Sequence, residues 1–225
     1  MKNTLNRKGL FITFEGVDGS GKSSITKLVY DELKKNNFNV VVTREPGGTN
    51  NAIAEDIRNI LLNKDTYKID YRAEALLFAA SRAQHVNDFI KPNLDNGNIV
   101  LCDRYIDSSL VYQGIGRNLG INNILKINDF AMNDIIPNKT FVLMVEPKIT
   151  MERILKNKSR EKNRLDKEKE LQKQVYNGYE YLINSDKNNR LVRIDATKDI
   201  GTVFKNVMKL IKKYIDSHYN GKYIK

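Results

Sequence analysis

An α/β fold built on a five-stranded parallel sheet flanked by helices is predicted by three features of this 225-residue chain. Five short apolar runs alternate with longer segments whose apolar residues recur at helical spacing. The first run opens into a glycine-rich stretch, Phe11 to Ser24 (FITFEGVDGSGKSS), and a helical pattern carrying Ile25, Leu28, Val29 and Leu33 follows it. No repeat or linker divides the chain, and its length suits one domain over 1–225.

The glycine-rich stretch predicts phosphate binding. Gly16, Gly21, Lys22 and Ser23 satisfy G-x-x-x-x-G-K-[ST]. Glycines at 16, 19 and 21 permit positive φ, so the backbone of Gly16, Val17, Asp18, Gly19, Ser20, Gly21, Lys22, Ser23 and Ser24 can wrap a polyphosphate. The helix that follows points its positive dipole end inward. Lys22 then neutralises β- and γ-phosphate oxygens, and the Ser23 hydroxyl binds Mg²⁺. The competing reading is an ordinary glycine turn, which the flanking strand and helix disfavour.

The remaining elements follow in order. The first strand runs over Leu10 to Phe14, and the helix after the loop ends near Asn36. A second strand, Asn39 to Thr43, delivers Arg44, Glu45, Pro46, Gly47, Gly48 and Thr49 to the carboxyl edge of the sheet, where ligands of open parallel sheets bind. A helix over Asn51 to Asn63 places Ile53, Ile57, Ile60 and Leu61 on one face. A long helix is predicted from Asp70 to Asp95. Most of its apolar residues suit a core or a subunit interface, but Phe78 and Arg82, one turn apart, could together engage a planar base.

A third strand, Asn98 to Cys102, ends in Asp103-Arg104-Tyr105. An acidic residue there is a second support for Mg²⁺ beside Ser23, and Arg104 could grip a phosphate; a surface ion pair is the plain alternative. Asp107 opens a polar helix offering Ser109, Tyr112 and Gln113 as base and sugar contacts. A fourth strand (Thr140 to Val145) and a helix (Ile149 to Lys156) lead to Lys156 to Lys169, which is too polar to bury a core and reads as a mobile lid or a solvated charge run. Helices Glu170 to Ser185 and Ile200 to Ser217 flank a fifth strand, Leu191 to Ile194.

Composition removes several function classes. The net charge of +11 is scattered rather than gathered into a basic and aromatic block, so no nucleic acid partner is expected. One cysteine excludes an intrachain disulfide and a cysteine-based zinc site, and Cys102 reads as a small core residue. No apolar stretch approaches the ~18 residues of a membrane span and no signal-peptide core is present, so a cytoplasmic protein with no membrane partner is expected.

The pieces FEGVDGSGKSS, TREPGGT, LFAASRAQH, DRYIDSSLVYQG, NRLDKE and IDAT stand in the order and roughly the spacing of a known family, and the chain resembles bacterial thymidylate kinases. The resemblance implies the P-loop NTPase fold of the nucleoside monophosphate kinase type, transfer of the ATP γ-phosphoryl group to dTMP with Mg²⁺, and a homodimer formed through helix faces. It implies that Arg44 and Arg104 hold the dTMP phosphate, that Asp18 lies near the 3′-hydroxyl, and that Glu45-Pro46 shape the site through a cis proline. Phe78 would stack on thymine, Arg82 meet its carbonyl edge, Ser109 and Gln113 complete the pocket, and Tyr112 favour deoxyribose. Gly19-Ser20 supply no basic residue to the loop, so the catalytic arginine would come from the lid: Arg153, Arg160 and Arg164 are candidates, with Arg160 and Arg164 favoured. Leu171 stands where many relatives carry phenylalanine. The rival readings are a kinase of this fold for another nucleoside monophosphate or deoxynucleoside, a nucleotide-switched binding protein, and a basic nucleic-acid-binding module.

Overall fold

The computed structural model describes residues 9–62, 69–156 and 169–219. Among them β1 (Leu10–Glu15), β2 (Val40–Arg44), β3 (Ile99–Asp103), β4 (Lys139–Met144) and β5 (Leu191–Asp195) form one parallel sheet in the order β2-β3-β1-β4-β5. Every predicted strand is present, with ends shifted by no more than one residue. Side-chain alternation divides the strands between two cores, which is why they read as nearly continuous apolar runs. Leu10, Ile12 and Phe14 meet α1 (Lys22–Lys35) and α9 (Ile200–His218) through Ile25, Val29, Val207 and Ile211.

On the other face, Phe11, Val100 and Val142 pack with residues of α3 (Tyr71–His85), α4 (Lys91–Asp95), α5 (Ile106–Ser109), α6 (Ile121–Met132) and α8 (Lys169–Ser185). The helix α2 (Ala52–Leu62) lies against α3, and α7 (Pro147–Lys156) follows β4.

Three elements depart from the sequence reading. The expected helix over Asp70 to Asp95 is interrupted: α3 gives way to a π-helical turn, Val86–Ile90, before α4. Pro92 explains the break, since it has no N–H to offer Asp88 and its ring would strike that carbonyl; Lys91 N–H instead reaches back five residues to Val86 O. The helix opening at Asp107 also changes character, from α5 to a π-helical turn over Leu110–Gly116, and it is not polar in setting: Asp107, Ser109 and Gln113 are buried. Finally, α6 is a helix that the sequence reading does not contain. Asn122, Asn123, Asn128 and Asp129 depress its helical propensity, and packing of Ile124, Ala131 and Met132 into the core overrides them.

The first seven residues, Asn63 at the expected end of α2, and the lid apart from its two ends lie outside the described residues. Among the described residues no helix is long and apolar enough to cross a membrane.

Candidate active site

Because the strands are parallel, their carboxyl ends share one edge, and the chain leaving β1, β2 and β3 converges there. Asp103 is paired in register with Phe14 on one side and Arg44 on the other. The edge opens into a cleft of about 530 Å³ lined by all nine residues proposed from sequence for substrate: Arg44, Glu45, Pro46, Phe78, Arg82, Arg104, Ser109, Tyr112 and Gln113. From the glycine loop, Asp18, Gly19, Gly21, Lys22, Ser23 and Ser24 line it as well. Gly16, Val17 and Ser20 do not; the Val17 and Ser20 side chains are buried beneath the loop.

The loop has the shape phosphate binding requires. Gly16 adopts φ 138°, and a Cβ there would lie 2.5 Å from the Leu143 carbonyl oxygen. Gly21, at φ 95°, starts α1 without a side-chain cap, so no side chain occupies the first-turn N–H groups. Lys22 Nζ donates to Gly16 O (3.0 Å) and Val17 O (2.9 Å). Burial, aided by the charge of Arg104, lowers its pKa from 10.5 to about 8.

Ser23 and Asp103 meet beside the loop, with Ser23 Oγ donating to Asp103 Oδ2 at 2.5 Å. Asp103 Oδ1 is buried and has no hydrogen-bond partner. A hydroxyl and an orphaned carboxylate oxygen beside a phosphate loop fit a hard cation that completes its shell with phosphate oxygens and water. The two metal residues proposed from sequence are therefore brought together.

Arg104 occupies the centre of the cleft in a left-handed conformation, φ 69°, unusual for a residue with a long side chain. Its Nη1 donates to Gly16 O (3.1 Å) and Ser108 Oγ (2.9 Å), and its Nη2 to Asp18 Oδ1 (2.7 Å) and Tyr112 OH (3.4 Å). Tyr112 also stacks beneath the guanidinium, 5.2 Å from ring centre to Cζ, and donates to Asp18 Oδ2. Behind Ser108 lies Glu15, fully buried, whose pKa is raised by desolvation and then by the nearby Asp107. Sequence reasoning passed over Glu15, although an acid ending an apolar strand directly before the glycine loop was a visible signal.

At the other end of the cleft Phe78 and Arg82 share one face of α3, as predicted. Arg82 is only 2% exposed. Its guanidinium is held by Glu45 (Nε to Oε2, 2.9 Å), by Ser109 Oγ (3.2 Å) and by the Asn128 side-chain carbonyl. Glu45 follows β2, is joined to Pro46 by a cis peptide bond, and also contacts His85 Nδ1 at 3.2 Å. Gln113 donates to the buried Glu74 (2.9 Å). Arg44 pairs with Glu55 of α2 at 2.9 Å, at the rim.

Asn128, Glu74 and His85 were missed, Asn128 because its helix was missed and the other two because a lone polar residue on a helix carries no local signature. Arg153 lines the cleft and donates to Ala196 O from both Nη1 and Nη2 (3.1 Å each). Arg160 and Arg164 lie outside the described residues. Leu171, the departure from the resemblance, is buried against Gly116.

Comparison with known proteins supplies the remaining findings. The sequence model of the family described as thymidylate kinase matches residues 14–207. The chain is 49% identical over 205 residues to a thymidylate kinase of Finegoldia magna, covering 91% of this chain and 98% of the relative. It is 45% identical over 206 residues to one of Clostridium novyi, covering 91% and 99%. The crystal structure of a thymidylate kinase from Ehrlichia chaffeensis superposes with a TM-score of 0.69 at 32% identity, covering 90% of this chain and 98% of that one.

Proposed function

The chain belongs to the thymidylate kinase family, and on that premise we infer that it transfers the γ-phosphoryl group of ATP to dTMP, giving ADP and dTDP. The observation that carries the assignment of roles is the single cleft in which a phosphate loop, an orphaned Asp103 oxygen, Arg104 and the Phe78/Arg82 face meet. Gly16 to Ser24 and Lys22 hold the ATP phosphates, while Arg44 and Arg104 hold the acceptor phosphate. Phe78, Arg82, Ser109 and Gln113 receive thymine, Glu45-Pro46 shape that pocket, and Tyr112 and Asp18 face the sugar. Ser23 and Asp103 would hold Mg²⁺, which when bound neutralises charge on the polyphosphate.

Phosphoryl transfer of this kind asks the protein for alignment and positive charge rather than covalent chemistry. The acceptor phosphate is anionic at neutral pH and attacks without an obligatory general base. Lys22 and Arg104 both line the cleft, so negative charge spreading over the transferred group would meet fixed cations. The catalytic arginine that the glycine loop lacks would be Arg160 or Arg164 of the segment 156–169. The reading is of a single-domain enzyme that works in the cytoplasm as a homodimer. Exposed Ile53, Ile60, Leu76, Leu125 and Phe130 on α2, α3 and α6 support the dimer.

The test is ADP release from ATP and Mg²⁺ with dTMP, dUMP, dCMP, dGMP, thymidine or no acceptor. Turnover strongest with dTMP is expected. Turnover favouring another acceptor would reassign the substrate, and acceptor-independent hydrolysis would overturn the kinase reading.

A further inference from the structure

Arg104 has one anchored end and one working end. Both Nη1 protons are consumed by the protein, one by Gly16 O and one by Ser108 Oγ. The Nη2 side faces Asp18 and Tyr112, cleft residues whose place a substrate oxygen can take. What fixes the anchored end therefore fixes how the working end is presented.

Ser108 can serve as acceptor for Arg104 because its single proton is committed elsewhere. Ser108 Oγ donates to Glu15 Oε2 at 2.6 Å, which leaves its lone pairs for Nη1. Tyr179, from α8, donates to the same Glu15 oxygen at 2.7 Å. The other carboxylate oxygen, Oε1, accepts from Tyr105 N (2.7 Å) and Ser108 N (3.1 Å). Four donors thus converge on one carboxylate, and Glu15 and Tyr179 are each completely buried. The Ser108 and Tyr179 hydroxyls also lie 3.1 Å apart, so Glu15 Oε2 draws both of them into one cluster.

We propose that Glu15, Ser108 and Tyr179 act as positioning residues for the acceptor, a buried relay that fixes the hydroxyl of Ser108 and through it the guanidinium of Arg104. None of the three needs to touch the reacting atoms. Tyr179 stands furthest back and acts only through Glu15 and Ser108, so its influence ends at the acceptor and does not reach ATP. The inference rests on the reading of Arg104 as the ligand of the acceptor phosphate.

The experiment is steady-state kinetics of Ser108→Ala, Tyr179→Phe and Arg104→Ala, with Tyr179→Phe also made in the Arg104→Ala background. Losing a hydrogen bond to a charged group predicts a KM for dTMP raised about tenfold in Ser108→Ala and somewhat less in Tyr179→Phe. KM for ATP should stay within about twofold of the parent in both, and Tyr179→Phe should add nothing once Arg104 is gone. A structural role alone would lower the melting temperature without separating the two KM values. Unchanged KM for dTMP in both single variants, with Arg104→Ala impaired, would overturn the relay while leaving the role of Arg104 intact. Normal dTMP kinetics in Arg104→Ala would overturn both. Should Tyr179→Phe fail to fold, Ser108→Ala decides.

Discussion

Lys22 lies buried among the loop carbonyls, and its pKa of about 8 has two consequences of opposite sign. For the free enzyme, the charge that attracts ATP is lost as pH rises through that value, so kcat/KM for ATP should fall with an alkaline midpoint near 8. Bound phosphate favours the charged form, so kcat should fall at higher pH. A kcat/KM that stays level to about pH 9.5 would contradict this assignment. For stability, the unfolded chain keeps the proton that the folded chain has released between about 8 and 10.5, so the Lys22 contribution to stability rises with pH across that window. Lys22→Ala should reduce turnover by at least about 10²-fold. Arg82 is different in kind: its truncation strands the buried Glu45 carboxylate, and Arg82→Ala should cost about 3–5 kcal/mol in denaturant unfolding as well as thymine recognition. Residues with a motif around them, such as Lys22, Ser23, Asp103 and Arg104, were legible in the sequence. Glu74 and Asn128 were not, and Glu15 was visible only as an acid at a strand end: burial and partner choice are decided by elements distant in the chain, and Tyr179 lies 164 positions from the carboxylate that it serves.

Elements were legible wherever period and punctuation agreed. All five strands satisfied that condition, and so did α1 and α9. The two π-helical turns and α6 did not: Pro92 widens the helix before it without ending the helical run, Leu110–Gly116 carries no local mark of its π-helical turn, and the asparagines of α6 send a local signal that packing overrules. Near the site, α8 packs directly against the turn Leu110–Gly116. A Cβ at Gly178 would stand 3.2 Å from Val111 Cβ and 3.1 Å from its Cγ1. Val111 is β-branched and stiff, so the elements must part to admit a methyl group. Gly178→Ala should therefore destabilise by about 1 kcal/mol although alanine favours helix, and the displacement of adjacent Tyr179 should raise KM for dTMP as well. A more stable Gly178→Ala protein with parental kinetics would show that this contact is loose.

At the scale of the molecule, the exposed apolar side chains on α2, α3 and α6 form the surface to test. Phe130, at 90% exposure, is the extreme case. Phe130→Asp combined with Leu76→Glu should convert a dimer in sedimentation velocity to a monomer; a monomeric parent protein would remove the proposal instead. The net charge of +11 predicts that KM for both nucleotides rises with ionic strength, most steeply below about 0.15 M. The side-by-side alignment of Phe14, Asp103 and Arg44 on β1, β3 and β2 has a consequence for changing specificity. Adjacent strands repeat at about 4.8 Å, a pitch set by backbone hydrogen bonds that no substitution alters. The sheet edge is in effect a ruler laid across the phosphates, with graduations that selection cannot respace. Variants selected for a bulkier acceptor should therefore gather their changes in α3 and in Leu110–Gly116, where side chains set the room for a base, and leave the strand exits untouched.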